Sequence, residues 1–97
     1  MKTKEEVLNI LRDYKLKAQV KYGITKLGLF GSYARGNQND KSDIDIIFDG
    51  GSPSLITIAH MESELEMLTE IPVQMTMYHD KLSERFLGNI NRDVIYV

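Results

Sequence analysis

The chain has 97 residues, 42% of them hydrophobic and 27% charged, a size and composition that predict a single small domain over residues 1–97. The formal net charge of -2 argues against a protein that holds a nucleic-acid backbone, because such proteins need clustered basic side chains. The chain has no cysteine, which excludes disulfides and thiolate metal sites.

The first predicted element is a helix that begins after Thr3 and ends at Gly23. Thr3 followed by Glu6 forms a capping-box pattern. Apolar residues then recur at helical spacing, at Val7, Leu11, Tyr14 and Ala18. Charges interrupt this segment, so it is not a signal peptide, and no later run is long enough to span a bilayer. We therefore expect a cytoplasmic protein with no membrane partner.

Two short strands follow, separated by a Gly-Ser turn and a polar loop. Residues 24–30 form a β-type run that stops at Gly31-Ser32. Ser32 is predicted to cap a short helix that ends at Gly36. After the polar loop NQNDK, the apolar residues within 44–48 mark the second strand.

The second half of the chain begins with a sharp turn at DGGSP, residues 49–53. The next helix is predicted to have Ser54 as its cap and an apolar stripe made of Ile58, Met61, Leu65 and Leu68. Pro72 opens a third strand, a last helix is expected from about Asp80 to Ile90, and residues 94–97 are predicted as an edge strand or a docking tail. This order predicts an α/β or α+β fold with a sheet covered by helices, and it leaves the polarity of the sheet open.

Asp43 and Asp45 lie at the start of the second predicted strand. Residues two apart in a strand point to the same face, so the two carboxylates converge while Ile44 and Ile46 face the core. A converging pair needs solvent, a basic partner or a cation, and its hard oxygen ligands suit Mg²⁺ or Mn²⁺. The alternative is that Asp43 belongs only to a turn and that Asp45 is an exposed strand position.

The Gly31-Ser32 turn has the features of an anion site at the start of a helix. Free backbone N–H groups and the helix dipole favour a phosphate there, and the Ser32 hydroxyl adds a donor. The alternative is an ordinary strand-to-helix turn. Gly31 and Gly36 have the spacing of a P-loop, but Asn37 and Gln38 stand where Lys and Ser/Thr are required, which excludes a P-loop ATPase.

One segment of 15 residues resembles the signature of the DNA polymerase β-like nucleotidyltransferase superfamily: Gly31-Ser32-Tyr33-Ala34-Arg35-Gly36, five further residues, then Ser42-Asp43-Ile44-Asp45. It is most similar to the minimal nucleotidyltransferases, which are often antitoxin partners of HEPN toxins. The resemblance implies a mixed β-sheet flanked by helices. It also implies Mg²⁺-dependent transfer of a nucleoside monophosphate, AMP from ATP, to a hydroxyl on a protein partner such as a HEPN-type toxin.

The resemblance implies a role for each residue that matches the motif. Gly31 and Ser32 would hold the nucleotide triphosphate. Asp43 and Asp45 would be the catalytic carboxylates that coordinate Mg²⁺ or Mn²⁺. Arg35 would neutralise phosphate charge, with a surface ion pair as its alternative.

Gln74 is the one serious departure from the family pattern. The family places a third metal-binding carboxylate on a later strand, where it also serves as the general base, and a neutral amide supplies neither charge nor base. Two hypotheses therefore stay open: transfer to a protein partner, or an impaired nucleotidyltransferase fold that acts by occluding its partner. His79 is a minor candidate for the base, and Asp80 is expected to cap the last helix. Transfer to a small molecule is disfavoured, because those enzymes carry an additional acceptor domain.

Overall fold

A computed structural model describes residues 2–97. Helices and strands alternate along the described residues, in this order: α1 (Lys4–Tyr22), β1 (Lys26–Phe30), α2 (Ser32–Arg35), β2 (Ile44–Asp49), α3 (Leu55–Thr69), β3 (Val73–Met77), α4 (Glu84–Asp93) and β4 (Ile95–Tyr96). None of the helices formed by residues 2–97 combines the length and the apolar character that crossing a bilayer requires.

The strands form a mixed sheet in the order β3-β2-β1-β4. β1 pairs antiparallel with both β2 and β4, whereas β2 pairs parallel with β3 through the α3 crossover. The predicted mixed sheet flanked by helices is therefore confirmed, and residues 95–96 form an edge strand as one of the two alternatives predicted. β2 is an interior strand, so its residues have neighbours on both sides.

One face of the sheet packs against α1 and α3 and forms the main core. The predicted stripe of α1 is entirely buried, because its members recur on the side of the helix that faces the sheet. The strands contribute alternate residues to the same cluster: Leu27, Leu29, Ile44, Ile46, Phe48, Val73 and Met75. The period-two pattern of the strands thus determines which of their residues enter this core.

The opposite face of the sheet is covered only in part, by α4. Phe86 of α4 packs edge to face on Phe30, with ring centroids 6.2 Å apart. Ile90 of α4 and Ile47 of β2 are both buried, at 1% and 2% exposure. Gln74 of β3 is exposed. This face is therefore closed over β1 and open at the β3 edge.

Several helix ends agree with the sequence prediction. Thr3 and Glu6 form the expected capping box, each side chain accepting from the other residue's backbone N–H, at 2.9 and 3.1 Å. Gly23 ends α1 in the left-handed conformation, with φ of 73°. The Ser54 side chain caps α3 by accepting a hydrogen bond from the Thr57 backbone N–H.

Two predictions about the helices α3 and α4 are wrong. Leu68 is 53% exposed and Thr69 is buried in its place. A step of four residues from Leu65 passes a full turn by about 40°, whereas a step of three stops about 60° short of one. Asp80 does not cap α4, since the Leu82 N–H bonds to the His79 carbonyl in a preceding turn and the helix begins only after it. Ser83 is the cap, accepting from the Phe86 N–H.

Candidate functional site

Gly31 joins the end of β1 to the start of α2. Its φ of 79° and ψ of -156° lie in a region that is open mainly to glycine. A Cβ added at this position would collide with Oδ2 of Asp45. Glycine therefore lets the Asp45 carboxylate lie directly against the backbone of the turn.

Ser32 is the first helical residue of α2 rather than its cap. Gly31 occupies the capping position, and no side chain caps the helix. The predicted Ser32 cap is wrong because the strand ends in a conformation that glycine adopts readily, which starts the helix one residue earlier. The half-buried Ser32 thus stands in the first turn with its hydroxyl not used as a cap. The predicted end of the helix at Gly36, with φ of 77°, is confirmed.

Asp45 lies on the partly open face of the sheet, and Asp43 lies just before the strand that carries Asp45. Asp45 is half-buried within β2, and Asp43 is exposed just before the strand. Ile44 and Ile46 are both 0% exposed and point into the core on the other face. Burial raises the pKa of Asp45, the negative charge of Asp43 raises it further, and the positive charge of Arg35 opposes both effects. The two carboxylates therefore repel each other, and a cation beside them would relieve that repulsion.

Asp45 lies in a row of three residues across neighbouring strands. Phe30 of β1 is its partner on one side, and Gln74 of β3 is its partner on the other. Gln74, the residue that departs from the family pattern, is thus the neighbour of Asp45 in the sheet. The exposed Gln74 has an amide oxygen to offer a ligand and no negative charge.

Arg35 links α2 to the end of α4. Its Nη1 donates to Oδ2 of Asp93 at 2.6 Å, and the two side chains are 48% and 11% exposed. This ion pair borders a pocket of about 300 Å³, whose other lining residues are Phe30, Gly31, Phe86, Asn89, Ile90 and Arg92. The surface ion pair considered for Arg35 is therefore present, and it lies beside the Gly31 turn.

The donor set at Asp43 and Asp45 suits a substrate-assisted magnesium site. Residues 2–97 contain no cluster of three or more His, Asp or Glu side chains arranged to hold a metal. Mg²⁺ is commonly bound by one or two carboxylates, with substrate phosphates and water completing its coordination. Two converging aspartates beside the Gly31 turn fit that pattern.

Comparison with known proteins decides the family. The family model described as polymerase beta, nucleotidyltransferase, matches residues 5–97. The chain belongs to this nucleotidyltransferase family.

Relatives of this nucleotidyltransferase match along its whole length. A candidate protein adenylyltransferase of Methanocaldococcus jannaschii is 37% identical over 98 residues, which cover 100% of both chains. The protein adenylyltransferase MntA of Thermococcus cleftensis is 35% identical over 98 residues, which cover 100% of this chain and 98% of MntA.

Solved structures share the nucleotidyltransferase fold. A candidate minimal nucleotidyltransferase matches with a TM-score of 0.75 at 25% identity, over 97% of this chain and 95% of that one. A toxin-antitoxin structure with AMP-PNP gives 0.69 at 20% identity, over 96% and 70% of the two chains. A structure of tri-AMPylated Shewanella oneidensis HEPN toxin with its MNT antitoxin gives 0.65 at 18% identity, over 94% and 70%. The last two likenesses concern the fold alone.

Three other titratable residues of the nucleotidyltransferase lie away from Asp45. His79 follows the far end of β3, five residues beyond Gln74, which corresponds to roughly 15 Å along an extended strand. Asp49 ends β2, where its Oδ1 accepts from the Gly50 N–H at 2.8 Å, so it shapes the turn. His60 belongs to α3, which packs on the opposite face of the sheet. The position of His79 beyond the far end of β3 therefore argues against the minor hypothesis that it acts as the base.

Sequence reasoning missed Asp93. It lies 58 residues from Arg35, so no local spacing links the two. The available signal was an acidic residue at the C-terminal end of an amphipathic helix, where the helix dipole disfavours negative charge. Such a residue points to a basic partner elsewhere in the fold.

Proposed function

We propose that this nucleotidyltransferase transfers AMP from ATP to a hydroxyl of a protein partner, a HEPN-type toxin, and acts in the cytoplasm as its antitoxin. The main supporting observation is that the Asp45 carboxylate packs against the Gly31 turn, with Asp43 near enough for its charge to act on Asp45. Two relatives with 35–37% identity along the whole chain bear the name of protein adenylyltransferases, which supports the reaction. Structures of the same fold with AMP-PNP and with an AMPylated HEPN toxin support the nucleotide and the partner.

In the proposed complex, the Gly31 turn binds the phosphates of ATP, and the two aspartates bind the metal ion that accompanies them. The Gly31 and Ser32 backbone N–H groups and the Ser32 hydroxyl donate to phosphate oxygens. Asp43 and Asp45 hold Mg²⁺ or Mn²⁺, which when bound supplies charge neutralisation to the phosphates and to the leaving group. Arg35 adds a positive charge on the α2 side.

The proposed reaction is an in-line displacement at the α-phosphorus. The acceptor oxygen forms a bond to phosphorus, the bond to the bridging oxygen of the β-phosphate breaks, and pyrophosphate leaves. Gln74 has no basic atom, so the hydroxyl proton passes to water at the open β3 edge of the site. The protein contributes mainly positioning and electrostatic stabilisation.

A second function, occlusion of the partner without transfer, is favoured by Gln74. The residue that adjoins Asp45 in the sheet is neutral, so the cation has two carboxylates instead of three. Fewer negative ligands weaken Mg²⁺ binding, and the acceptor loses an adjacent base. In this alternative the fold binds the toxin and covers its active surface.

Labelled ATP distinguishes the two functions. The protein is incubated with α-labelled ATP and Mg²⁺ in lysate of its own host, beside an Asp43→Asn/Asp45→Asn double variant. Transfer predicts a labelled protein band that is absent with the variant, and the size of the band identifies the acceptor. A folded, partner-bound protein that labels nothing would refute transfer and support occlusion.

Gln74→Asp provides a second discrimination. If the neutral amide impairs the site, the added carboxylate should strengthen Mg²⁺ binding and raise labelling several-fold. If the native site is already competent, the change should leave labelling unchanged or reduce it. Isothermal titration with Mg²⁺ in the presence of ATP measures the first effect independently of turnover.

A further inference from the structure

We propose that Asp93 is a positioning residue that holds the Arg35 guanidinium at the pocket between β1, α2 and α4, where it meets the nucleotide phosphates. The inference rests on the proposed function, because a bound nucleotide is what gives Arg35 a phosphate to contact. It assigns a role in nucleotide binding to a residue outside the sequence motif.

The ion pair between Arg35 and Asp93 is asymmetric. The Asp93 side chain is 11% exposed, whereas the Arg35 side chain remains 48% exposed. The hydrogen bond to Asp93 uses Nη1, and guanidinium has five N–H donors in a fixed fork. Asp93 therefore anchors one side of the guanidinium and leaves donors on the other side available for an anion.

The position of Asp93 is unfavourable for the helix that carries it. Asp93 is the last residue of α4, where the partial negative charge of the helix end disfavours a carboxylate. Its low exposure adds a desolvation cost. Arg35 offsets both costs from another element, so the carboxylate contributes to the orientation of Arg35 more than to the stability of α4.

The pocket beside the ion pair connects it to the aspartate site. Gly31 and Arg35 line the same pocket, and Gly31 is in contact with the Asp45 carboxylate. Phe86 packs on Phe30 and fixes α4 against β1, which determines the distance from Asp93 to α2. A phosphate bound at the Gly31 turn is thus within the influence of the same guanidinium.

A double-mutant cycle on nucleotide binding tests this role. The dissociation constant for ATP with Mg²⁺ is measured by isothermal titration for wild type, Arg35→Ala, Asp93→Ala and the Arg35→Ala/Asp93→Ala double variant. Losing a positioned charged hydrogen bond should weaken binding roughly tenfold in each single variant. If Asp93 acts through Arg35, the double variant should be no weaker than Arg35→Ala alone.

Controls separate positioning from folding. Asp80→Ala removes an exposed aspartate from the turn before α4 and should leave the dissociation constant unchanged. Asp93→Asn keeps the shape of the side chain, and it should reproduce the loss of affinity while thermal melts show the variant folded at the titration temperature. In transfer assays, the variants should change KM for ATP more than kcat.

Three outcomes would overturn the role of Asp93. Unchanged ATP affinity in folded Asp93→Ala and Asp93→Asn would refute it while leaving the proposed function intact. Losses that add fully in the double variant would show that Asp93 acts independently of Arg35. A wild-type protein that binds no ATP with Mg²⁺ would refute both this role and the proposed function.

Discussion

At the scale of single residues, Gly31 and Gly36 differ in what surrounds them. Both have positive φ, but a Cβ at Gly31 would meet the Asp45 carboxylate, whereas one at Gly36 would meet nothing within 4 Å. Gly31→Ala should therefore destabilise the fold by roughly 1–3 kcal/mol through backbone strain and displace Asp45 as well. Gly36→Ala should show strain alone. Urea unfolding and titration with Mg²⁺ and ATP measure the two effects.

The contrast between the two glycine variants carries this prediction. Gly36→Ala should retain nucleotide binding even if its free energy of unfolding falls by about 1 kcal/mol. Equal losses of nucleotide binding in both variants would show that strain in α2, rather than the contact with Asp45, explains the requirement for glycine.

Asp45 is expected to reduce the stability of the protein without metal. Its folded pKa is raised above 3.8, so its ionised form is less favourable in the folded than in the unfolded state. This penalty is present at neutral pH and disappears as pH falls through the raised pKa and then below 3.8. Asp45→Asn should thus increase the free energy of unfolding at pH 7, with the gain shrinking in acid.

Chemical denaturation without Mg²⁺, repeated between about pH 3 and pH 7, measures this gain. The exposed Asp43→Asn is the matched variant and should gain less. If Asp45→Asn is less stable than wild type at neutral pH, the ionised Asp45 carboxylate does not destabilise the folded state, and this prediction is wrong.

Glu64 is expected to make the opposite contribution. It accepts hydrogen bonds from the Tyr14 and Tyr22 hydroxyls, at 2.9 and 2.8 Å, and from Lys17 at 2.8 Å. The Lys17 hydrogen bond is the largest cause that lowers its pKa from 4.5 to about 2, against the effect of burial. Its stabilisation is complete above pH 4.5 and is lost as pH falls towards 2.

Glu64→Gln should therefore lose on the order of 2 kcal/mol at pH 7, and its stability should converge with that of wild type as pH approaches about 2. Unfolding curves recorded across this pH range test the sign of the effect. Asp13→Asn neutralises an exposed carboxylate in the middle of α1 and should follow wild type throughout. A constant difference between Glu64→Gln and wild type at every pH would contradict a charge-based role.

At the scale of elements, two side chains of α3 bind backbone N–H groups of the edge strand β3. Glu66 and Glu62, one helical turn apart, accept from the backbone N–H groups of Val73 and Met75, each at 2.8 Å. These side chains satisfy donors that an edge strand otherwise presents to other chains. Glu62→Ala/Glu66→Ala should lower the free energy of unfolding by roughly 1–3 kcal/mol and promote association through β3.

Denaturation and light scattering after size exclusion measure the two consequences. Ser63→Ala changes an exposed side chain of the same helix, between the two glutamates, and should alter neither stability nor association. If the double variant stays monomeric and as stable as wild type, water satisfies the edge N–H groups equally well. The two glutamates then contribute nothing to the free energy of unfolding.

Local patterns in the sequence were sufficient for most elements of the fold. The caps of α1 and α3 depend on contacts or conformations within a few residues, and each was predicted correctly: Thr3 with Glu6, Gly23, and Ser54. The start of α4 was not, because Asp80 and Ser83 are both good caps. The residue type alone does not show that the chain makes a turn from His79 to Leu82 before the helix begins. The order of strands in the sheet was likewise beyond local reasoning.

The candidate site divides in the same way. Alternation along β2 was enough to place Asp45 opposite the buried isoleucines, with Asp43 just before the strand. The contact between Gly31 and Asp45 depends on the pairing of β1 with β2, and the ion pair of Arg35 with Asp93 depends on where α4 packs. Neither has a signal in the spacing of residues along the chain.

At the scale of the whole molecule, nucleotide binding should be visible as stability. A ligand that binds only the folded state, at about 100 times its dissociation constant, stabilises it by about 2.7 kcal/mol, or roughly 10–20 °C in Tm for a domain of this size. ATP with Mg²⁺ should raise the Tm accordingly. The Asp43→Asn/Asp45→Asn double variant should show a much smaller shift.

Differential scanning fluorimetry with ATP, Mg²⁺ and both together measures this shift. The aspartates predict that the combination exceeds the sum of the separate effects, because cation and phosphates complete each other's coordination. If ATP alone raises the Tm as much as ATP with Mg²⁺ does, the nucleotide binds away from the aspartates.

The row of Phe30, Asp45 and Gln74 also has a consequence for how the protein is made. A ribosome releases the chain in order, so Gly31, Asp43 and Asp45 emerge first. Strand β3 follows only after the α3 crossover, and it then pairs with β2. Arg35 is synthesised 58 residues before Asp93. A nascent chain therefore carries the complete motif well before it can form the pairing of Asp45 with Gln74 or the ion pair of Arg35 with Asp93.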